Sequence, residues 1–374
     1  MERNRGLLFS LGLIIFPAML IGAASASYAD SYDGQQQTGY ASGGGDPNTA
    51  QTLEQVTTGA DERIVTVTDD YGETVTVLGT PQRIVSLAPS NTEILYALDL
   101  GDRIVGVTDN SDYPSAAADK PKVGGYSIVN IEKVIATEPD LIFAASGNTE
   151  EVIGRLRSLG MTVITLNPQT VGDVLQNIEL VGRATGQEEQ ASACVERLRS
   201  RIRAVTEKTE VSGEKPSVAH VVWHDPLWVS GNGTFQNEVI AMAGGTNAFG
   251  SIEAWSIVSL EEFITTDPDY ILVSSGSGMN RDDYDAVYDY IVNEPRLQKL
   301  NAIKNGHVYV IDADVISRGG PRIVDALEEV AGDLHPDLAV APAPEATEPV
   351  RSPGFGAIPL ICALSAAILL LQKR

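Results

Sequence analysis

The sequence has little of the chemistry that enzymes and metal sites use. Its 374 residues include only two cysteines and four histidines, so a disulfide framework is excluded. The histidines (His220, His224, His307 and His335) share no motif. No G-x-S-x-G, P-loop or H-E-x-x-H sequence occurs, which argues against the common hydrolase, nucleotide-binding and zinc-protease classes. We therefore expect no catalytic residue, no resident metal and no cofactor.

Basic residues are also scarce. The chain has 26 Lys and Arg against 50 Asp and Glu, a formal net charge of −24. Such a charge repels nucleic acid and anionic headgroups and is typical of a well-solvated exterior. Nucleic-acid binding is not expected.

The N-terminal end is typical of an export signal. Arg3 and Arg5 precede an apolar run from Leu7 to Ile21, and small residues near Ala29 suit a signal peptidase. We predict a signal peptide over 1–29. The following 30–60 are rich in Gly, Ser, Gln, Thr and Asp, a composition that predicts a disordered tether. No cysteine comes directly after the predicted cleavage site, so a lipid anchor of the bacterial lipoprotein type is not expected.

The C-terminal end predicts an anchor. A Pro/Ala/Glu linker over 336–352 leads to a segment, 353–374, in which 356–371 are apolar and a basic tail follows. Pro353-Gly354-Phe355 resembles the C-terminal sorting signal of archaeal surface proteins, which implies anchoring with removal of the tail and attachment of a lipid. A plain membrane helix is the alternative. Either way, the body is expected on the outer face of the cell membrane.

The body is expected to form two lobes. Short apolar strands alternate with amphipathic helices over 61–186, after an N-terminal β-hairpin, and again over 211–335. Residues 187–210 have no Gly or Pro and carry one apolar stripe, which predicts a long bridging helix. The predicted fold class is α/β: two lobes with mainly parallel central sheets, joined by one long helix.

One element occurs twice. "NIEKVIATEPDLIFAAS" begins at Asn130, and "SLEEFITTDPDYILVSS" begins at Ser259, 129 residues later. In each copy a capping residue starts a short helix, a proline ends it and an apolar strand follows. Glu132 and Glu261 occupy the same place in the first turn. Complementing the helix dipole explains a glutamate at either place but not the same offset in both lobes.

Several motifs carry a family resemblance, in the order "PQRIVSLAPSNTEILYALDLGDRIVGVTDNSDYP", "KVGGYSIVNIEKVIATEPDLI", "WVSGNGTFQNEVIAMAGG" and "SLEEFITTDPDYILV". From Pro81 to about Leu334 the chain resembles the vitamin B12 and ferric-siderophore binding proteins that feed ABC importers. The resemblance implies a ligand cleft between the lobes and small closure on binding. It also implies partners, a two-fold symmetric permease dimer with its ATPase subunits, onto which Glu132 and Glu261 dock.

Aromatic residues mark the expected ligand site. Tyrosines fall in turns after first-lobe strands, and all three tryptophans lie within the second lobe; loops after parallel strands are where open α/β sheets bind ligands. The resemblance implies a cleft in which Tyr113 and Tyr126 lie opposite Trp255, with Arg318 nearby. For Arg318, a surface position without a ligand role is an equal alternative. The predicted ligand-binding residues are Tyr113, Tyr126, Trp223, Trp228, Trp255 and Arg318.

The ligand class is predicted from the balance of these side chains. Aromatic and apolar walls with few polar anchors suit a corrinoid, more arginines would favour a ferric siderophore, and Tyr126 would suit haem iron. Aromatics dominate, so a corrinoid is favoured and an iron chelate or haem is the alternative. A zinc or manganese uptake protein is a distant alternative, because His220 and His224 in one strand would lie about 13 Å apart.

Overall fold

The computed structural model describes residues 63–213, 215–275 and 286–338. The predicted signal peptide and tether, most of the predicted linker and the predicted C-terminal anchor lie outside the described residues. All the described residues belong to one compact unit. Within them, no helix combines the length and the apolar character needed to cross a bilayer.

The predicted N-terminal hairpin is confirmed. β1 (Ile64–Thr68) and β2 (Thr74–Leu78) pair antiparallel. Gly72 in the turn has a φ of 79°, a left-handed conformation that suits glycine. The carboxylate of Asp69 accepts the Thr165 amide (3.1 Å) and the Arg157 guanidinium (3.0 Å). These bonds fix the hairpin to the first lobe.

The first lobe contains a four-stranded sheet whose strands are all parallel, in the order β4-β3-β5-β6. Its strands are β3 (Ile84–Ser86), β4 (Ile104–Val107), β5 (Leu141–Ala145) and β6 (Val163–Leu166). Its helices are α1 (Pro89–Ala97), α2 (Ser115–Ala118), α3 (Ile131–Ala136), α4 (Glu150–Ser158) and α5 (Val171–Thr185). Every residue of β5 is buried, as expected for a parallel strand covered on both faces.

The second lobe contains a mixed sheet in the order β10-β8-β7-β11-β12, with β9 also paired to β7. Its strands are β7 (Ser217–His224), β8 (Leu227–Ser230), β9 (Thr246–Asn247), β10 (Trp255–Ile257), β11 (Tyr270–Ser275) and β12 (Val308–Asp312). Its helices are α7 (Phe235–Met242), α8 (Leu260–Thr266), α9 (Ala286–Asn293), α10 (Asn301–Asn305), α11 (Ala313–Ser317) and α12 (Ile323–Leu334). β8 pairs antiparallel with both β7 and β10, whereas β11 pairs parallel with β7 and β12, and β9 pairs parallel with β7. Only β8 therefore runs against the other described strands, and the sheet is mainly parallel, as predicted.

The long helix is present between the two sheets. α6 (Glu188–Ser212) spans 25 residues, slightly longer than predicted, and at 1.5 Å per residue it is about 37 Å long. It packs against α5 of the first lobe and α12 of the second. On the α12 side, Arg201 forms ion pairs with Asp325 (2.6 Å) and Glu328 (2.7 Å).

One cluster of buried apolar side chains crosses between the lobes. It includes Ile84 of β3, Val174 of α5, Val195 of α6, Val239 of α7 and Leu327 of α12. Separate apolar clusters fill the other side of each sheet. The bridging helix is therefore part of a continuous core and not an exposed linker.

Candidate functional site

The repeated element folds the same way in both lobes. The side chain of Asn130 accepts the Lys133 amide at the start of α3, and that of Ser259 accepts the Glu262 amide at the start of α8, each at 3.0 Å. These caps satisfy amides that the first helical turn leaves without partners. Glu132 and Glu261 are the second residue of their helices, and both are exposed.

The equivalence continues through the end of each helix. Glu138 and Asp267 both have a left-handed backbone, with φ of 47° and 43°, which residues other than glycine seldom adopt. Pro139 and Pro268 follow them directly. Both copies thus leave the helix by the same strained turn.

The aspartate after each proline fixes the element to the neighbouring strand. Asp140 accepts the Arg83 amide just before β3 at 3.0 Å, and Asp269 accepts the Ser217 amide at the start of β7 at 2.9 Å. In return, the amides of Asp140 and Asp269 donate to the carbonyls of the same two residues, each at 2.9 Å. The repeat is therefore a structural duplication that holds each exposed glutamate in one orientation relative to its sheet.

The duplication begins further upstream than the sequence analysis recognised. Tyr126-Ser127-Ile128-Val129 and Trp255-Ser256-Ile257-Val258 stand at the same 129-residue offset, with three of four residues identical. Tyr126 is 38% exposed and Trp255 is 41% exposed. The two aromatic residues that were predicted to face each other across the cleft are thus equivalent members of the two copies.

The first-lobe tyrosines lie at the carboxyl ends of parallel strands. Tyr113 follows β4. The Tyr126 hydroxyl accepts the amide of Gly147, just after β5, at 3.0 Å. A Cβ on Gly147 would lie 2.0 Å from the Tyr126 ring, so this glycine is needed for the close approach. The position agrees with the expectation from strand order.

The second-lobe tryptophans are brought together by strand pairing. Trp223 of β7 lies opposite Trp228 of β8, which in turn lies opposite Ile257 of β10. Trp255 is two residues from Ile257 and so lies on the same face of its strand. Trp228 is half-buried and Trp255 is exposed. Trp223 packs partly against the second-lobe core, and its ring nitrogen donates to the Asp225 carbonyl at 3.0 Å.

An ion cluster that the sequence analysis did not identify joins the lobes. Glu93 of α1, 3% exposed, accepts from Arg322 through Nε (3.0 Å) and Nη2 (2.6 Å) and from Arg318 through Nη1 (3.3 Å). Arg318 also contacts Asp112 (3.0 Å) and Asp314 (2.7 Å). The two arginines belong to the second lobe, while Glu93 and Asp112 belong to the first.

Both arginines keep their charge in this partly buried place. Burial lowers the pKa of Arg318, but Asp314, Asp112 and Glu93 outweigh it and the pKa is raised overall. Burial likewise opposes the charge of Arg322, and Glu93 reverses the effect, so its pKa is raised too. The guanidinium carbon of Arg322 lies 4.0 Å from the centroid of the Tyr113 ring, a cation–π contact. Tyr113 and Arg318, both predicted ligand-binding residues, therefore belong to one cluster between the lobes.

One of the two histidines considered as zinc or manganese ligands is a core residue. His220 is fully buried between Ser230 Oγ (2.8 Å) and Ser274 Oγ (3.0 Å). Burial lowers the pKa of His220 to about 3, so the ring is neutral. Across the described ranges, no group of three or more His, Cys, Asp or Glu residues is arranged to hold a metal ion.

Two surface depressions are lined by other residues. One, of about 530 Å³, is lined by residues of α4 and by Ile131. The other, of about 590 Å³, is lined by residues around α7 and β9. Neither contains a predicted ligand-binding residue. The candidate site is defined by the aromatic pair and the ion cluster at the strand ends, not by these depressions.

Comparison with known proteins identifies the family. Residues 84–315 match the family described as periplasmic binding protein. The chain is 35% identical over 280 residues to YvrC, an uncharacterized ABC transporter substrate-binding lipoprotein of Bacillus subtilis, covering 73% of this chain and 86% of YvrC. It is 31% identical over 252 residues to the vitamin B12-binding protein of Vibrio cholerae, covering 67% of this chain and 87% of that protein.

A solved structure agrees with this assignment. A possible iron-binding, periplasmic solute-binding protein from Staphylococcus epidermidis superposes with a TM-score of 0.60 at 28% identity, covering 68% of this chain and 99% of that one. The family match over 84–315 includes both sheets and the bridging helix. The chain therefore belongs to the periplasmic binding protein family and is the substrate-binding component of an ABC importer, not an enzyme.

Proposed function

We propose that this protein captures a corrinoid outside the cell and delivers it to a two-fold symmetric importer. The observation that carries the ligand assignment is the pair Tyr126 and Trp255, exposed aromatic residues at equivalent places of the two copies. Large planar ligands are held by such apolar walls with few polar anchors. The similarity to the vitamin B12-binding protein of Vibrio cholerae supports the same class.

The ion cluster also favours a ligand with few negative charges. Arg318 and Arg322 already contact Glu93, Asp112 and Asp314. A strongly anionic ligand would have to displace one of these carboxylates to reach an arginine, and separating buried charge pairs is costly. A corrinoid needs fewer cationic partners than haem, with its propionates, or an acidic siderophore.

Ferric siderophore or haem binding is the alternative within the same importer class. The similarity to a possible iron-binding protein favours it, and the Tyr126 hydroxyl, partnered by the Gly147 amide, is an oxygen that ferric iron accepts. Zinc or manganese uptake stays the distant alternative.

The direct test is a comparison of ligands. Purified protein is mixed separately with cyanocobalamin, a ferric hydroxamate siderophore and haemin, and ligand absorbance is followed through gel filtration. We expect cyanocobalamin to co-elute with the protein at one per chain. Co-elution of haemin or the siderophore alone would replace the corrinoid assignment with the iron alternative.

Trp255→Ala should weaken cobalamin binding by at least about tenfold, since loss of a large aromatic contact commonly costs more than about 1.4 kcal/mol. The unliganded protein should melt at nearly the same temperature, because Trp255 is exposed. Trp223→Ala is the matched control: it removes an indole that packs on the core and should lower the melting temperature. A collapse of the melt for Trp255→Ala would show that this residue is structural.

Ligand binding should change the overall dimensions very little. α6 contains no Gly or Pro, and the apolar cluster around it is shared by both lobes, so no hinge is available. Small-angle scattering with and without cobalamin should give nearly equal radii of gyration. A contraction of several ångströms would contradict this account of the bridging helix.

We also propose export and anchoring at the C-terminus, with docking through Glu132 and Glu261. The similarity to a substrate-binding lipoprotein supports a place at the outer membrane face. The predicted signal peptide over 1–29 and the Pro353-Gly354-Phe355 sorting sequence lie outside the described residues. Mass spectrometry of the mature protein checks the signal peptide: the first residue is expected to be Asp30, and retention of Met1 would contradict export through this signal.

A further inference from the structure

Each lobe carries one strongly exposed isoleucine at the same point of the repeat. Ile128 is 84% exposed and Ile257 is 56% exposed, and they stand 129 residues apart. The residues on either side are identical, serine before and valine after. The valines turn inward: Val129 packs against the first-lobe core and Val258 is buried in the second. The isoleucines therefore project outward because both copies have the same alternation.

These side chains lie between the two functional features of each copy. Ile128 and Ile257 come two residues after the aromatic residue and four residues before the exposed glutamate. They are more exposed than Tyr126 at 38% and Trp255 at 41%. Their larger exposed fractions leave more apolar surface open to a protein partner.

A single exposed aliphatic residue is ordinary and needs no explanation. Two at equivalent points of a duplicated element are different, because a partner with two equal subunits presents the same surface twice. The carboxylates of Glu132 and Glu261 are repeated with the same offset. An apolar contact beside each charged one is the usual composition of a stable interface: charge sets orientation and association rate, and apolar burial slows dissociation.

We propose that Ile128 and Ile257 are apolar anchors for the permease dimer, one inserted into each subunit beside the site that receives the glutamate of the same copy. This rests on the proposed function. The occupant is a two-fold symmetric membrane protein with two equivalent apolar depressions, each next to a cationic side chain.

The test is binding to the importer's permease–ATPase complex in lipid nanodiscs, measured by biolayer interferometry. Ile128→Ser with Ile257→Ser should weaken binding roughly 100-fold, about tenfold per side chain or about 1.4 kcal/mol each. The loss should appear mainly as faster dissociation. Valine at both positions should restore most of the affinity, because it keeps an aliphatic side chain.

Ile64→Ser with Leu78→Ser is the matched control. These residues face each other on the hairpin and are 70% and 74% exposed, but they lie outside the repeat. The control should bind the permease as the unchanged protein does.

The outcomes separate this proposal from the function on which it rests. Unchanged permease affinity of the isoleucine double variant, beside normal binding by the unchanged protein, overturns the anchor proposal alone. A fall in cobalamin affinity with unaltered permease binding also overturns it and assigns the isoleucines to the ligand wall. Failure of the unchanged protein to bind the complex would refute the docking function itself.

Discussion

Cobalamin uptake should fail when Glu132 and Glu261 are both changed to lysine, although the purified variant still binds cobalamin. Both residues are exposed in the first turn of α3 and α8, so their loss leaves the core intact. Lysine places a like charge against each cation of the permease, which costs more than losing a pair. Each single variant should reduce uptake only partly, because the other lobe can still dock.

The control for this prediction is charge reversal at two first-turn glutamates outside the repeat. Glu150 of α4 and Glu189 of α6 are exposed and lie at helix N-termini. Changing both to lysine alters net charge and helix-dipole interactions to the same extent. Uptake by this control should be normal. Normal uptake by Glu132→Lys with Glu261→Lys would remove our explanation of the repeat and leave only a helix-dipole role.

Glu93→Gln should lower the free energy of unfolding by about 3 kcal/mol, the size of effect found when one partner of a buried ion pair is removed. The variant keeps the volume of the side chain but leaves Arg318 and Arg322, whose side chains are 13% and 15% exposed, without their shared buried carboxylate. For a folded body of this size the melting temperature should fall by roughly 5 °C. Thermal and urea unfolding of the unliganded protein measure the change.

Glu179→Gln serves as the comparison. Glu179 pairs with Arg199 at 3.3 Å, but the two side chains are 38% and 48% exposed, and exposed pairs contribute about 0 to 1 kcal/mol. Equal stability of Glu93→Gln and Glu179→Gln would contradict a stabilising role for the cluster between the lobes.

Elements that are set by interactions between residues close in sequence could be predicted from the sequence. α5 begins at Val171 and ends at Thr185 because Thr170 and Asp173 form a capping box and Gly186 ends the helix in a left-handed conformation. The predicted hairpin and long helix are likewise set by alternation and by an uninterrupted apolar stripe. These patterns act over a few residues and can be read without the tertiary structure.

The contacts between the lobes could not be predicted in this way. Glu93 lies 225 residues from Arg318 and 229 from Arg322, so no local pattern connects them. A glutamate directly before the apolar residues of α1, and a second arginine four residues after Arg318, were the available indications. The pairing of Trp228 with Ile257 likewise depends on a short strand, β10, that is formed by pairing with β8.

The identity "SIV" before each helix was visible in the sequence, but it gained its meaning from the structure. Exposure separates the outward isoleucines from the inward valines, and the sequence alone gives no such measure for an irregular segment. The roles of Tyr113, Tyr126, Trp223, Trp228, Trp255 and Arg318 in ligand binding stay predictions, as do those of Glu132 and Glu261 in docking.

The central claim is that this chain delivers a corrinoid to an importer, and uptake of radiolabelled cobalamin tests it most directly. Cells from which this protein has been deleted should take up little cobalamin from nanomolar solution, and the unchanged protein should restore uptake. The Trp255→Ala variant should restore it poorly at the same expression level. Full uptake by the deleted cells, or a requirement for this protein only with ferric siderophores or haem, would contradict the account.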